Sequence, residues 1–320
     1  LMRVEGWLFL LLQTVVLVLL GGAVPSFAFH APLSLMPRYS HTSTTTRPVM
    51  RCDAVSSGAI TELMQEHDPI LLFASKLLPS DTAVDASALY AWCRRLDEIC
   101  DQPGADPLET QEKLVDWQYR FDQLWGGNPT DEMDAALVHC LQRNSIPRKP
   151  FCDMICGMQS DAVDGRRVAT MEELEEYAYQ VAGTVGLMLL PLLNAKNMKD
   201  AEYPAICLGK AIQLINILRD ASPDAALGRI YLPQDLLQAQ KVQNEDVLAL
   251  KSSSGYRNVV ESVSNRAWKL LEQAEEGRTT LPGLGPLFVQ VIVELYRGYL
   301  DELERRGYDN LTVEGERVKS

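Results

Sequence analysis

The sequence predicts an all-α fold, formed by one domain that runs from residue 56 to residue 320. From Gly58 onward there is no sustained alternation of apolar and polar residues, which argues against half-buried strands. Apolar residues recur instead at i, i+3, i+4 and i+7, the spacing of one helix face. No linker, repeat or low-complexity tract divides this part of the chain. Such a domain is too long for a four-helix bundle and requires a larger one.

Short breaker segments separate the predicted helices in order. They are "LLPS", "DQPGADP", "WGGNPTD", "NSIPRKP" and "LPGLGP", all rich in glycine, proline or small polar residues. The predicted helices are Ala59–Leu77, Thr82–Asp101, Leu108–Leu124, Asp131–Arg143, Lys149–Ser160, Thr170–Leu193, Ala201–Arg219, Tyr256–Thr279 and Leu287–Gly307.

Composition excludes some classes of function. The formal net charge is −13 and no basic, aromatic-rich stripe is present, so we expect no nucleic-acid partner. The seven cysteines include no CxxC pair, and Cys152 and Cys156 have no histidine nearby. This pattern argues against a zinc site and favours reduced thiols over a disulfide framework.

The first 55 residues have the composition of targeting segments. The apolar run "WLFLLLQTVVLVLLGGAV" follows Arg3 and precedes small residues, which predicts a signal peptide over residues 1–28; a single membrane anchor is the alternative. Residues 25–51 hold three arginines, eight Ser or Thr and no acid, which predicts a plastid transit peptide and linker over residues 29–55. Together they resemble the bipartite presequence of algae with secondary plastids, with cleavage after Ala28 and again near Cys52. We therefore expect the protein in the plastid.

An unusual concentration of charge ends the second predicted helix, "YAWCRRLDEICD". Asp97 and Asp101 are four residues apart, so they share one helix face about 6 Å apart along the axis. Like charges repel, and a helix C-terminus disfavours carboxylates, so local stability does not explain the pair. A hard cation such as Mg²⁺ would, because it binds one or two carboxylates with substrate phosphate oxygens. The alternative is a solvated acidic helix end.

A second pair follows another apolar helix. Asp220 and Asp224 lie beside Arg219 in "QLINILRDASPD". If the two helices are antiparallel, the pairs would face each other across a cavity, where metals clamp a diphosphate and arginines balance its remaining charge. The apolar helix faces below would line a pocket for a long hydrocarbon.

With both aspartate motifs, the chain resembles the squalene/phytoene synthase family. Besides the aspartate motifs, the resemblance rests on "FASKLLP", "FCDMICGMQSD", "YAYQVAGTVGLM", "GRIYLPQDL" and "YRGYLDELERRGYDN", in family order over nearly the whole mature chain. The resemblance implies an isoprenoid synthase bundle with a central apolar cavity. It implies head-to-head condensation of two geranylgeranyl diphosphates to phytoene through a cyclopropylcarbinyl intermediate, prephytoene diphosphate, the first committed step of carotenoid biosynthesis.

The same resemblance implies cofactors and partners. Mg²⁺ or Mn²⁺ is expected, and NADPH is not. Geranylgeranyl diphosphate is the expected substrate, and geranylgeranyl diphosphate synthase and phytoene desaturase are possible partners. Because the product is a hydrocarbon without polar groups, we expect peripheral attachment to the plastid membrane surface or a stromal location.

Site residues follow position by position from the resemblance. Tyr90 and Tyr177 would lie beside the reacting carbons, although each could be a core aromatic. Gln213 and Asn216 would hold metal or substrate, although helix–helix hydrogen bonds are the alternative. The remaining implied residues are Arg94, Arg219, Tyr296 and Arg317 for substrate, and Asp97, Asp101, Asp220 and Asp224 for metal.

Three departures from the family pattern affect substrate positioning more than metal binding. Ile70-Leu71-Leu72 stands where the family has Ser/Thr-Phe-Tyr, and Gln180 replaces a tyrosine. Pro223 replaces an acid inside the second aspartate motif and is expected to disfavour helical geometry at Ser222. These departures leave a non-catalytic assembly factor of the same family as one alternative. A squalene-type synthase that uses NADPH is the other.

Overall fold

A computed structural model describes residues 52–67, 80–100, 106–283 and 285–312 of the chain. The predicted signal and transit segments before Cys52, the stretch Ile70–Leu72, and the site residues Asp101 and Arg317 lie outside these ranges.

Within the described ranges, the chain forms helices and turns but no β-strand, apart from one isolated bridge between Arg167 and Ile230. The all-α prediction is confirmed. The helices are α1 (Cys52–His67), α2 (Ser80–Cys100), α3 (Pro107–Trp125), α4 (Glu132–Arg143), α5 (Lys149–Asp161), α6 (Met171–Ala178), α7 (Thr184–Leu189), α8 (Met198–Arg219), α9 (Ala221–Ala226), α10 (Gln234–Ala239), α11 (Asn244–Leu248), α12 (Ser254–Glu276) and α13 (Gly285–Arg305).

Several helices begin close to their predicted positions, because a side chain caps the first turn of each. Asp106, Asp131, Thr170, Asn197 and Ser253 each accept a hydrogen bond from a backbone N–H in the first turn of the helix that follows. The predicted helix Thr170–Leu193 differs from the structure in its interior. It is divided into α6, a π-helical turn (Tyr179–Gly183) and α7.

The helices pack as two neighbouring groups. α2 packs on α1, α3, α4 and α5, whereas α8 packs on α6, α7, the π-helical turn, α12 and α13. α5 contacts both the first group and the π-helical turn, and so joins the two. Of the described helices, none is long and apolar enough to cross a bilayer.

An aromatic cluster fixes the position of α2. Trp92 lies 4.9 Å from Phe151 and 5.6 Å from Phe121, measured between ring centroids, and Phe151 and Phe121 stack at 5.2 Å. These rings join α2, α3 and α5, and all three are buried. Aromatic pairs of this kind each add roughly 0.5–1.5 kcal/mol beyond their area burial.

Ion pairs next to this cluster also hold α2 in place. Arg95 donates to Asp131 at 2.8 Å and to Asp134 at 3.2 Å, and Arg120 donates to Asp134 at 2.9 Å. Both guanidinium groups lie over the ring of Trp117, at 5.1 and 5.6 Å from its centroid. Arg95 therefore forms structural ion pairs.

Glycine permits very close packing between α8 and the π-helical turn. A Cβ atom at Gly209 would lie 2.6 Å from the carbonyl oxygen of Ala182 and 2.6 Å from the Cα of Gly183, both backbone atoms. A Cβ at Gly186 would lie 2.7 Å from the carbonyl oxygen of Ala205. α8 can approach this segment only because no side chain intervenes.

We expect Gly209→Ala to lower the free energy of unfolding by about 1–3 kcal/mol, because backbone atoms must move to accommodate the methyl group. The matched control is Gly298→Ala in α13, where a Cβ would meet nothing within 4 Å. There, the better helix propensity of alanine should stabilise the protein by about 0.5–1 kcal/mol. Urea denaturation of both variants checks the pair. Equal effects of the two substitutions would contradict it.

Candidate active site

The first aspartate motif faces inward from α2. Tyr90, Arg94 and Asp97 follow a spacing of i, i+4 and i+7, so they share one helix face. Their exposed fractions are 2%, 7% and 2%. Asp97 is therefore not part of a solvated acidic helix end. Burying a carboxylate and a guanidinium is costly unless they are paired or bind a ligand.

Arg94 links the acids of this motif. Its Nε donates to Glu98 at 3.2 Å, and its Nη1 lies 3.7 Å from Asp97 Oδ2. Burial, together with the Asp97 carboxylate, raises the pKa of the neighbouring Cys93 thiol to about 12. That thiol is consequently neutral at physiological pH, and the six cysteines whose state the structure gives are all free.

The second motif lies where α8 ends. Gln213 and Asn216 are buried in the last turns of α8, and Arg219 is its final residue. Asp220 breaks the helix with φ −97° and ψ 15°, and α9 begins at the next residue. The α-helical backbone is thus interrupted at Asp220.

The expected disruption at Ser222 is wrong. Ser222 and Pro223 lie in the first turn of α9. Backbone N–H groups in the first turn of a helix have no intrahelical acceptor, so a proline there removes no helical hydrogen bond. Asp224 lies in the same short helix and is 7% exposed.

Asn216 has an unusual environment. It is 2% exposed, and within the described part of the chain neither its Oδ1 nor its Nδ2 has a hydrogen-bond partner. The alternative role in helix–helix hydrogen bonding is thus not supported by the described residues. An unpaired buried amide costs roughly 1–3 kcal/mol, so a retained one suggests a bound group that completes it.

Arg219 and Asp220 form a two-point ion pair. Nε donates to Oδ1 at 2.9 Å and Nη2 donates to Oδ2 at 2.7 Å. Burial opposes the charged guanidinium, but the hydrogen bonds to Asp220 outweigh it, and the pKa of Arg219 is raised. Tyr296 of α13 lies close enough to Arg219 and Asp220 for both charges to act on its hydroxyl group. Burial raises the pKa of its phenol far above the usual range, and no described residue hydrogen-bonds its hydroxyl.

Tyr177 stands on a support that the sequence did not identify. Its ring stacks on Tyr231 with 5.5 Å between centroids and 23° between planes. The Tyr231 hydroxyl donates to the Asp161 carboxylate at 2.5 Å, and both residues are buried. Tyr231 and Asp161 belong to "GRIYLPQDL" and "FCDMICGMQSD", two motifs to which no role was given. Backbone hydrogen bonds from Ile230 and Gln234 to residues 166 and 168 fix this loop.

These side chains have the chemistry that a hard divalent cation requires, although the described residues alone do not form a complete site. Among the described residues, no three His, Cys, Asp or Glu side chains are grouped closely enough to hold a metal. The residues that fit are the carboxylates Asp97, Asp220 and Asp224, with the amide of Asn216, which no described residue hydrogen-bonds, since Mg²⁺ prefers oxygen ligands.

An apolar cavity of about 80 Å³ lies deeper in the second group of helices. On α8 it is lined by Leu208, Gly209 and Ile212, up to one turn before Asn216, with Val185 of α7 and Val289 of α13. Pockets that hold drug-sized ligands are roughly 300–1,000 Å³, so this cavity could hold only part of a long hydrocarbon.

Known proteins resemble this chain over most of its length. The model of the squalene/phytoene synthase family matches residues 64–320. Phytoene synthase 2, chloroplastic, of Solanum lycopersicum is 37% identical over 78% of this chain and 82% of its own length. Phytoene synthase 1, chloroplastic, of Zea mays is 38% identical over 78% of this chain, which spans only 62% of that relative.

Solved structures of other proteins have the same fold as this chain. The squalene synthase HpnC from Alicyclobacillus acidocaldarius superposes with a TM-score of 0.73 at 21% identity, covering 80% of this chain and 96% of that one. A dehydrosqualene synthase solved in complex with a ligand gives a TM-score of 0.71 at 28% identity, covering 82% and 91%. The sequence and the fold agree, and the chain belongs to the squalene/phytoene synthase family.

Proposed function

We propose that this protein is a plastid phytoene synthase, a prenyltransferase that condenses two geranylgeranyl diphosphates head to head into phytoene. Its family membership and its identity of 37% to 40% with chloroplastic phytoene synthases support this activity. The observation that carries the proposal is the burial of the Asp97 carboxylate and of the Asn216 amide, which has no hydrogen-bond partner among the described residues.

The charged residues would act on the leaving diphosphate. A bound Mg²⁺ or Mn²⁺ would supply Lewis-acid stabilisation of the departing diphosphate. Asp97, Asp101, Asp220 and Asp224 would hold the metal ions. Gln213 and Asn216 would complete the ligand set or bind substrate.

The arginines and tyrosines would have different tasks. Arg94 and Arg219 would donate to diphosphate oxygens, for which guanidinium geometry is suited, and Tyr296 and Arg317 would close the mouth. Tyr90 and Tyr177 would present aromatic faces to the carbocations, which are attracted to π systems. The buried surroundings of both tyrosines would keep water from quenching these cations.

Two alternative functions predict different experimental results. A squalene-type synthase, the activity named for one structural neighbour, would need NADPH to reduce the cyclopropyl intermediate. A non-catalytic assembly factor would have no use for buried acids, and such relatives are expected to lose them. The chain has all four aspartates in both motifs.

The experiment is incubation of the purified protein with labelled geranylgeranyl diphosphate and Mg²⁺, with and without NADPH. Phytoene formation that does not depend on NADPH is expected. A reduced product only with NADPH would indicate the squalene-type reaction. Absence of any product, together with no binding of Mg²⁺ in the presence of inorganic diphosphate, would indicate the assembly factor.

We infer the location from the names of the relatives and from the composition of the N-terminal residues. The curated relatives are named as chloroplastic, and residues 29–55 have transit-peptide composition. We place the protein in the plastid of an alga with a secondary plastid, at the membrane surface or in the stroma. Enzymes that make geranylgeranyl diphosphate or desaturate phytoene are the partners that we expect there.

Restoring the family residues at positions 70 and 71 should improve catalysis. Ile70 cannot donate to a diphosphate oxygen, whereas a hydroxyl can, and a hydrogen bond to a charged group contributes about 1.5–3 kcal/mol. Ile70→Ser with Leu71→Phe should therefore raise kcat/KM roughly tenfold. Steady-state kinetics with geranylgeranyl diphosphate measure this. A slower double variant would mean that the segment closes the site through apolar contacts.

A further inference from the structure

The segment after α13 turns back onto the end of α8. The chain reverses through two left-handed residues, Gly307 with φ 63° and Tyr308 with φ 60°. The Asp309 carboxylate then accepts hydrogen bonds from the N–H groups of Leu311 and Thr312 and from the Thr312 hydroxyl. Asp309 and Leu311 are buried. The turn is therefore firmly held, and it presents Asn310 in a fixed position.

Asn310 connects three elements through its side chain. Its Nδ2 donates to the carbonyl oxygen of Leu218 at 2.7 Å. Its Oδ1 accepts a hydrogen bond from the Tyr256 hydroxyl at 2.8 Å. Tyr256 lies on α12 and is fully buried. With one partner on each side, the amide has a single orientation.

The end of α8 needs such support. Leu218 lies in the last turn, where helix carbonyls lack intrahelical donors. The carbonyl of Arg219, the last residue of α8, also lacks an intrahelical donor, and Pro223, four positions later, has no N–H to offer it. The interruption at Asp220 therefore leaves carbonyl groups at the end of α8 without helical donors. Asn310 caps this end from outside the helix.

We propose that Asn310 is a positioning residue for the second aspartate motif. By holding the Leu218 carbonyl, it fixes the direction in which Arg219 and Asp220 leave α8. The consequence for cation binding rests on the proposed function, because that function assigns Asp220 to the metal. The backbone restraint itself rests only on the hydrogen bonds.

Hydrogen exchange in the full-length chain tests the restraint. In Asn310→Ala, the amide hydrogens of Asp220, Ala221 and Asp224 should exchange roughly tenfold faster, the effect of losing one or two hydrogen bonds. Asn144→Ala is the matched control, because Asn144 also donates to a carbonyl at a helix end, that of Cys140 in α4, and to Asp85. It should speed exchange near residue 144 and leave Asp220 to Asp224 unchanged. Unchanged exchange at Asp220 to Asp224 in Asn310→Ala would overturn the inference.

Calorimetric titration with Mg²⁺ and inorganic diphosphate tests the consequence. The apparent Kd for Mg²⁺ should rise roughly three- to tenfold in Asn310→Ala. Asn310→Asp should weaken binding too, although its added negative charge would by itself attract the cation. Asn144→Ala should bind as wild type does. Faster exchange with unchanged Mg²⁺ affinity would make Asn310 merely structural and overturn the positioning role.

Two further observations keep the outcomes distinct. If Asn310→Ala does not fold, Tyr256→Phe removes only the bond that orients the amide, and it should shift exchange and Kd in the same directions by roughly twofold. If wild-type protein neither binds Mg²⁺ with diphosphate nor makes phytoene, the proposed function fails, and the positioning role fails with it. An exchange effect at Asp220 to Asp224 would then show that the backbone restraint alone survives.

Discussion

Asp97→Asn should reduce turnover at least about a hundredfold, equivalent to about 2.7 kcal/mol in the activation free energy. The amide has the same shape as the carboxylate but lacks the charge that a hard cation requires. The fold should be nearly unaffected, because Arg94 keeps its hydrogen bond to Glu98 at 3.2 Å. Product formation from geranylgeranyl diphosphate and thermal unfolding of the same preparation measure both effects.

Asp134→Asn should give the opposite result, a loss of stability with little loss of activity. Asp134 is as deeply buried as Asp97, at 2% exposure, but it is hydrogen-bonded to Arg95 and Arg120 at 3.2 and 2.9 Å. Removing its charge should cost about 2 kcal/mol of stability, because two guanidinium groups lose part of their partner set. Its activity per folded molecule should stay near wild type. An Asp97→Asn enzyme with more than a tenth of the wild-type rate would remove Asp97 from the metal site.

The helices with long amphipathic patterns could be predicted from sequence, since a repeat at 3.6 residues is clear over three or more turns. The short helices α9, α10 and α11 could not, because five or six residues show less than two turns of periodicity. The π-helical turn was also missed. It lies where Gly183 packs closely against Gly209 of α8, a contact that depends on the tertiary fold.

For the candidate site, the sequence predicted the site residues themselves but not the residues that hold them in position. The acidic pairs and their arginines are visible because charge at the end of an apolar helix needs an explanation. Tyr231 and Asp161 support Tyr177 from positions 54 and 16 residues away, and Asn310 reaches Leu218 across 92 residues. Such contacts depend on the path of the chain, so a single sequence cannot reveal them. Grouping of the two aspartate motifs around one metal cluster stays a prediction, as Asp101 lies outside the described residues.

Asn216→Leu should make the protein more stable and far less active. The buried Asn216 amide has no partner among the described residues, and such a group costs roughly 1–3 kcal/mol. Leucine has the same branched shape and no polar atom, so removing the unpaired amide and burying apolar atoms on α8 should raise the free energy of unfolding by about 1 kcal/mol and the melting temperature by about 2–4 °C. Turnover should fall about a hundredfold or more, because the oxygen that would contact metal or substrate is gone.

Asn144→Leu is the matched substitution, because the Asn144 amide donates to Asp85 at 2.8 Å and to the Cys140 carbonyl at 3.0 Å. There the same change should destabilise the protein by about 1–2 kcal/mol and leave turnover unchanged. Thermal unfolding and product formation separate the two positions. If Asn216→Leu lowered the melting temperature, its amide would have a structural partner beyond the described residues. If it kept activity, Asn216 would not belong to the site. Gain of stability with loss of turnover is the expected signature of a polar group that is kept for its ligand and not for the fold.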